Sequence, residues 1–277
     1  MYQKTIKLFL QDGDPNERII CELSNWDGIS YKIPKTMLKD SKDFKYINNT
    51  GIYMLFGEKE DIPYVYIGES ENLYRRLIQH LDDDKDFWTE SISFCRKDNS
   101  LNKAHVKYIE NMLYIEAKKS ARYEVDNSSI PTQSSLSEYE EAEMKEIIDN
   151  IKMLTNALGY RVFGDFGNKK KENKNILYFK TKKFDAKGVL TSDGFMVLKG
   201  STVSSDKSAK SLGKGYNALR ERLKNEKIID ENYKFTSDYV FNSSSAAADI
   251  ISGYSNSGPI VWKNKDGISL KELIKEG

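Results

Sequence analysis

Five side chains in the first half of the chain have the types and spacing to hold an anion and move a proton: Tyr53, Tyr66, Arg76, His80 and Glu110. Arg76 and His80 are four residues apart, so a helix would put them on one face. They follow Tyr66 by ten and fourteen residues. An arginine offers a rigid fork of donors suited to phosphate oxygens. A tyrosine hydroxyl can relay a proton, or accept one if its surroundings lower its pKa. Glu110 directly follows Ile109, on the margin of an apolar helical stripe, where a carboxylate needs a partner or an ion. One hard oxygen ligand with substrate phosphate and water is enough to hold Mg²⁺. Taken singly, each residue has a plainer reading: two tyrosines in a sheet, one half of the Arg75–Arg76 surface pair, one exposed helical glutamate. Lys103 and Lys107 share the face of Glu110 and either meet phosphates or form a solvated row. His105, on the same helix, reads as structural.

The positioning elements follow from local pattern. GIYMLF (51–56) and YVYIG (64–68) read as two strands joined by a short polar loop. The stretch 70–81, SENLYRRLIQHL, reads as a helix capped by Ser70, with Leu73, Leu77, Ile78 and Leu81 on its apolar face. SISFCR (91–96) is a third strand. Residues 101–120 form a long amphipathic helix. Another begins at the capping box Ser137-x-x-Glu140. Ahead of these, residues 4–10, 17–23 and 29–33 read as strands, and KTMLKDSKDF (35–44) as a short helix.

With these motifs in order, residues 51–127 resemble the GIY-YIG nuclease domain: GIY at 51–53, YIG at 66–68, the helix carrying Arg76 and His80, and the YIE glutamate Glu110. The resemblance implies a small three-stranded antiparallel sheet flanked by helices. It implies a hydrolase that cleaves DNA phosphodiesters with one divalent metal, Mg²⁺ or Mn²⁺. Tyr53 would act as general base or place the attacking water. Tyr66 would share its proton network and touch the scissile phosphate. Arg76 would stabilise charge on the phosphate. His80 would orient the nucleophile or leaving group, and Glu110 would hold the metal. Asn127 matches the asparagine that family members carry after the glutamate helix. The alternative reading is a catalytically silent nucleic-acid-binding or protein-interaction module that retains the nuclease fold.

The expected architecture is α+β throughout. Residues 1–47 form a β-rich extension, 48–160 the nuclease-like domain, 161–175 a basic linker and 176–277 a second α+β domain. Residues 194–277 resemble an uncharacterised domain that follows longer nucleases of this type. The net charge of +1 hides a split, −8 over residues 1–150 and +9 over 151–277. A basic second half suits a polyanion, because phosphate contacts release counterions. Lys199, Ser201, Arg220 and Arg222 are its candidate DNA contacts, with Trp262 as a stacking surface and the serines 243–245 as a phosphate-binding helix start. No apolar run approaches the length of a membrane span, and MYQKTIKLFLQDGD turns acidic without a cleavage site, so neither a membrane anchor nor a signal peptide is expected. Cys21 and Cys95 lack metal-site spacing and read as reduced thiols of a cytoplasmic protein. Two histidines, His80 and His105, exclude a multi-histidine metal site.

Overall fold

The computed structural model of the chain describes residues 3–59, 62–83, 85–163, 176–191, 194–205, 209 and 211–275. The chain divides into two compact units, Met1–Phe163 and Gly164–Gly277. The expected linker at 161–175 falls almost wholly outside the described residues, which resume at 176.

The first unit is built on a mixed sheet of seven strands. In chain order these are β1 (Ile6–Leu10), β2 (Ile19–Leu23), β3 (Gly28–Pro34), β4 (Gly51–Lys59), β5 (Ile62–Ser70), β6 (Trp88–Arg96) and β7 (Glu124–Val125). Their spatial order is β1-β2-β3-β6-β4-β5-β7. β4 lies inside the sheet, with β5 and β6 antiparallel on its two sides. Its residues Gly51–Phe56 are all buried. An unbroken apolar run is what a strand covered on both faces requires.

The sheet corrects the expected three strands. The N-terminal segment is no appendage: β3 pairs with β6 along its whole length, from Gly28↔Arg96 to Pro34↔Glu90. Ile29, Tyr31 and Ile33 then join the core beside Tyr53 and Trp88. The segment 35–44 also differs from the expected helix. It forms two 3₁₀ turns, Lys35–Met37 and Lys39–Ser41. The Ser41 hydroxyl donates to the Met37 carbonyl, and such a local side-chain bond competes with regular helix.

Helices cover both faces. On one, α2 (Lys103–Ser120) and α3 (Glu138–Ala157) contribute to a core containing Ile52, Met54, Val65, Ile67, Val106, Ile109 and Ile148. α3 starts at the capping box of Ser137 and Glu140. On the other face, α1 (Leu73–Gln79) lays Leu73 and Leu77 over Tyr53 and Leu55. Its cap is Asn72, whose side chain accepts the Arg75 N–H. Ser70, expected as the cap, ends β5 and donates its hydroxyl to the Asn72 carbonyl.

The second unit carries a four-stranded antiparallel sheet in the order β11-β10-β9-β8, formed by β8 (Leu177–Lys180), β9 (Asp185–Thr191), β10 (Gly194–Val197) and β11 (Tyr239–Phe241). Its helices are α4 (Lys214–Asn225), α5 (Ser244–Ser252), α6 (Gly258–Val261) and α7 (Leu270–Lys275). Among the described residues no helix is long and apolar enough to cross a membrane.

Because β3 covers one side of β6 and shares its core, a chain beginning at residue 48 should fail to fold as the full chain does. Expressed alone, residues 48–163 should aggregate or show no cooperative urea transition by circular dichroism. A sharp two-state transition would show that the N-terminal strands are dispensable.

Candidate active site

Strand register brings the two tyrosines together. Tyr53 on β4 sits directly opposite Gly68 on β5. A Cβ at position 68 would lie 2.4 Å from the Tyr53 hydroxyl oxygen and ring, so only glycine leaves room for the tyrosine to lie across the neighbouring strand. Tyr66, two residues earlier on β5, faces the same way. Its ring centroid is 6.0 Å from that of Tyr53 and 5.4 Å from that of His80.

The Tyr53 hydroxyl is the meeting point. It lies 2.7 Å from His80 Nε2, and Arg76 Nε donates to it at 3.2 Å. Arg76 is also favoured in its charged form by the neighbouring Tyr66. His80 closes the C-terminus of α1 and is buried. Its other ring nitrogen, Nδ1, is 2.5 Å from Asp83 Oδ2. Lys85 stands over the Tyr66 ring with Nζ 4.9 Å from the centroid and pairs with Asp126.

The electrostatics alter the expected role of Tyr53. Burial, and then the neighbouring Tyr66, push its pKa well above the ordinary tyrosine value, against the pull of Arg76. It is therefore a neutral hydroxyl at physiological pH, suited to relaying a proton rather than to standing ready as a tyrosinate. Burial, then Arg76, push the His80 pKa down while Asp83 acts the other way. A neutral imidazole is the natural acceptor for the Tyr53 proton.

Glu110 belongs to the other side of β5. It lies on α2, next to Ile109 in the core beneath that helix. Its carboxyl is raised to about 7, by burial and then by the Glu69 carboxylate. Lys103, the Glu69 main-chain N–H and Lys107 act in the opposite sense. Glu69 is itself held by Lys103 at 2.8 Å. The Glu69 N–H points off the outer edge of β5, as does that of Ile67 two residues earlier, because alternate residues of a strand share a hydrogen-bonding side. The Ile67 N–H and carbonyl are both taken by the Asn127 side chain, at 3.1 and 2.7 Å. Asn127, expected to bind substrate, thus fastens the edge strand where β7 ends. The Tyr53 hydroxyl lies at Gly68 and the Glu110 carboxylate beside Glu69, two consecutive residues of the edge strand.

Among the described residues no group of three or more His, Cys, Asp or Glu gathers around one point. The donors present still suit a hard divalent cation, which needs only one or two carboxylates when water and substrate oxygens complete its shell. Two carboxylates crowded enough to raise a pKa gain from an added positive charge. Lys107 lies half-buried on the Glu110 side of α2. His105 completes the N-terminal capping box of α2 with Asn102.

The second unit does not present the expected DNA surface. Ser201 is buried, its hydroxyl bonded to the main chain of Lys187. Arg220 is buried and bonds the Ser204 carbonyl. Trp262 is fully buried against Phe179 and Phe195, and its indole N–H donates to the Ser244 carbonyl, so it cannot stack on a base. Arg222 is half-buried, and Lys199 alone of the four named contacts is exposed. The start of α5 is closed by the chain itself. Ser243 caps it, Ser245 accepts the Gly258 N–H, and a Cβ on Gly258 would fall 2.2 Å from the Ser245 nitrogen. No phosphate fits where that backbone lies.

Sequence reasoning missed Gly68 as the floor under Tyr53, and Glu69, Asp83 and Lys85 as neighbours of the site. Glu69 had a signal: it follows YIG and, by strand alternation, faces the helix side with Val65 and Ile67. Asp83 had none, being one of three successive aspartates.

The raised Glu110 carboxyl fixes a pH dependence. Below pH 4.5 it is protonated folded and unfolded, and adds no cost. As pH rises towards about 7 the unfolded chain releases that proton first, so stability falls. Glu110→Gln imitates the protonated form. Without divalent metal it should match the wild type near pH 4 and exceed it by about 1–2 kcal/mol at pH 8 in chemical denaturation, a value reduced for partial solvent screening. Equal stabilities at both pH values would show that burial and Glu69 do not raise the Glu110 carboxyl.

A family model described as a domain of unknown function, DUF4357, matches residues 177–274, the greater part of the second unit. No curated protein and no solved structure matches the chain.

Proposed function

We propose that the chain is a divalent-metal-dependent endonuclease that hydrolyses DNA phosphodiesters, with a GIY-YIG-type site in the first unit. The observation that carries this reading is the Tyr53 hydroxyl, bonded to His80 Nε2 and to Arg76 above the glycine of YIG. A buried tyrosine that only filled space would need one partner. This one has a proton acceptor on one side and a phosphate-binding cation on the other.

The chemistry follows from those contacts. A water oxygen attacks phosphorus as its proton passes to the Tyr53 oxygen and the Tyr53 proton passes to His80 Nε2. The phosphorus–oxygen bond to the leaving nucleoside breaks, that oxygen takes a proton from solvent, and His80 returns its extra proton to solvent. One phosphodiester and one water give a phosphomonoester and an alcohol. Arg76 meets charge accumulating on the phosphate oxygens, where a preorganised donor acts most strongly. Glu110, with Glu69 beside it, would hold Mg²⁺ or Mn²⁺, which supplies positive charge to the phosphate when bound. The edge of β5 at Gly68–Glu69 is where a phosphate could reach both groups.

The silent-module alternative has no observation in its favour. A binding module needs one partner for a buried tyrosine hydroxyl, and Tyr53 has both His80 Nε2 and Arg76. The second unit, basic overall, is proposed to assist on DNA through exposed lysines such as Lys199 rather than through the buried Arg220 and Trp262.

Supercoiled plasmid with Mg²⁺ or Mn²⁺ tests the reading. Wild type should nick or linearise it. Tyr53→Phe should fold, losing about 1–3 kcal/mol because His80 and Arg76 lose a buried partner, and should cleave at least about 10²-fold more slowly. Glu110→Ala should abolish cleavage. Persistent cutting by both variants, or none by wild type on any DNA form, would sink the proposal.

A further inference from the structure

His80 has two ring nitrogens and, when neutral, one proton to place between two partners. Nε2 faces the Tyr53 hydroxyl at 2.7 Å, and Nδ1 faces the Asp83 carboxylate at 2.5 Å. An ionised carboxylate only accepts, whereas a tyrosine hydroxyl can donate or accept. With the proton on Nδ1 every group is satisfied: Nδ1–H donates to Asp83, the Tyr53 O–H donates to bare Nε2, and Arg76 donates to the Tyr53 oxygen. With the proton on Nε2, a bare Nδ1 would face the carboxylate at hydrogen-bond distance, two acceptors without a proton between them.

We infer that Asp83 is a positioning residue that holds His80 in its Nδ1–H form, so that Nε2 is free to take the Tyr53 proton. The inference rests on the nuclease reading only for what the relay is used for. It assigns a purpose to one member of the acidic run LDDDKD that composition presents as a solvated helix end. Asp83 lies beyond the end of α1, and its side chain is 38% exposed, whereas that of His80 is wholly buried. A carboxylate that reaches solvent thus also reaches the buried imidazole. Other titratable or charged groups also face His80. Tyr53 comes from β4, Tyr66 from β5, Arg76 from α1 and Lys85 from the segment after Asp83. Of these, Asp83 alone is an anion, so it alone can fix the proton on Nδ1.

Nitrogen NMR of [¹⁵N]histidine-labelled full-length protein tests this directly, since only His80 and His105 give signals. A His105→Gln sample separates the two. At pH 7.5 in wild type, His80 Nδ1 should resonate as a protonated pyrrole-like nitrogen and Nε2 as an unprotonated one. In Asp83→Asn, whose amide can donate to a bare Nδ1, the proton should move to Nε2. Asp83→Glu should restore the wild-type pattern in part. With DNA, Asp83→Asn should lower kcat by about 10–10²-fold with little change in KM. The acidic limb of its pH profile should move to lower pH, because the anion that raised the His80 pKa is gone.

Unchanged nitrogen shifts in Asp83→Asn would overturn the assignment whatever happens to cleavage. A tautomer switch that leaves kcat and the pH profile unaltered in a cleaving enzyme would overturn it as a catalytic positioning role. A wild-type chain that cuts no DNA but shows the switch would overturn the nuclease reading and uphold the Asp83 assignment.

Discussion

A hydroxyl buried in the middle of a sheet must find partners or cost the fold stability. The Tyr53 hydroxyl meets that constraint on the inner strand β4, and much of the first unit is arranged around the solution. Gly68 gives up a side chain so that the ring can lie across β5. α1 is short and ends at His80, which places imidazole and guanidinium on the same oxygen. Asn127 then fastens the edge of β5 from outside. The same arrangement that satisfies a buried polar group sets His80 Nε2 against the Tyr53 hydroxyl and Asp83 against the other ring nitrogen. Stability and chemistry here depend on one network.

Carboxylate and tyrosine lie on opposite faces of the sheet. Tyr53 and Tyr66 face α1, while Glu110 and Glu69 belong to the α2 side. β5 is the last long strand of the sheet, because β7 pairs with only two of its residues. A ligand lying over that edge therefore has access to both faces, which an inner strand would not permit. Burial, then the Glu69 carboxylate, raises the Glu110 carboxyl to about 7 against the pull of Lys103, and makes the pair responsive to added positive charge.

What the sequence revealed depended on whether the signal was local. GIYMLF is legible as a strand covered on both sides because its apolar run is continuous. The start of α3 is legible because a capping box is a four-residue device. Arg76 and His80 were legible as a pair because a helical period puts them on one face; Tyr53 and Tyr66 joined them through the resemblance of the ordered motifs, and strand register sets the tyrosines together. Other features were decided at a distance. Nothing in residues 28–34 states that they pair with 90–96, so the N-terminal strands looked like an appendage. Ser70 and Asn72 are both good caps, and β5 running on to Ser70 made the choice. In the second unit residue type misled outright: arginine, serine and tryptophan suit a nucleic-acid surface, yet Arg220, Ser201 and Trp262 serve its interior. Composition reports what a side chain can do, and burial decides whether it meets a partner molecule.

The central claim is that a phosphate is processed over the edge of β5 between the Tyr53 hydroxyl and Glu110. A crystal structure of the full chain with a short DNA duplex and Mn²⁺, using Tyr53→Phe to halt turnover, tests it most directly. An anomalous manganese peak is expected on the Glu110 carboxylate. A backbone phosphate is expected bonded to Arg76 beside the ring at position 53. A duplex bound elsewhere, with this edge empty of both metal and phosphate, would contradict it.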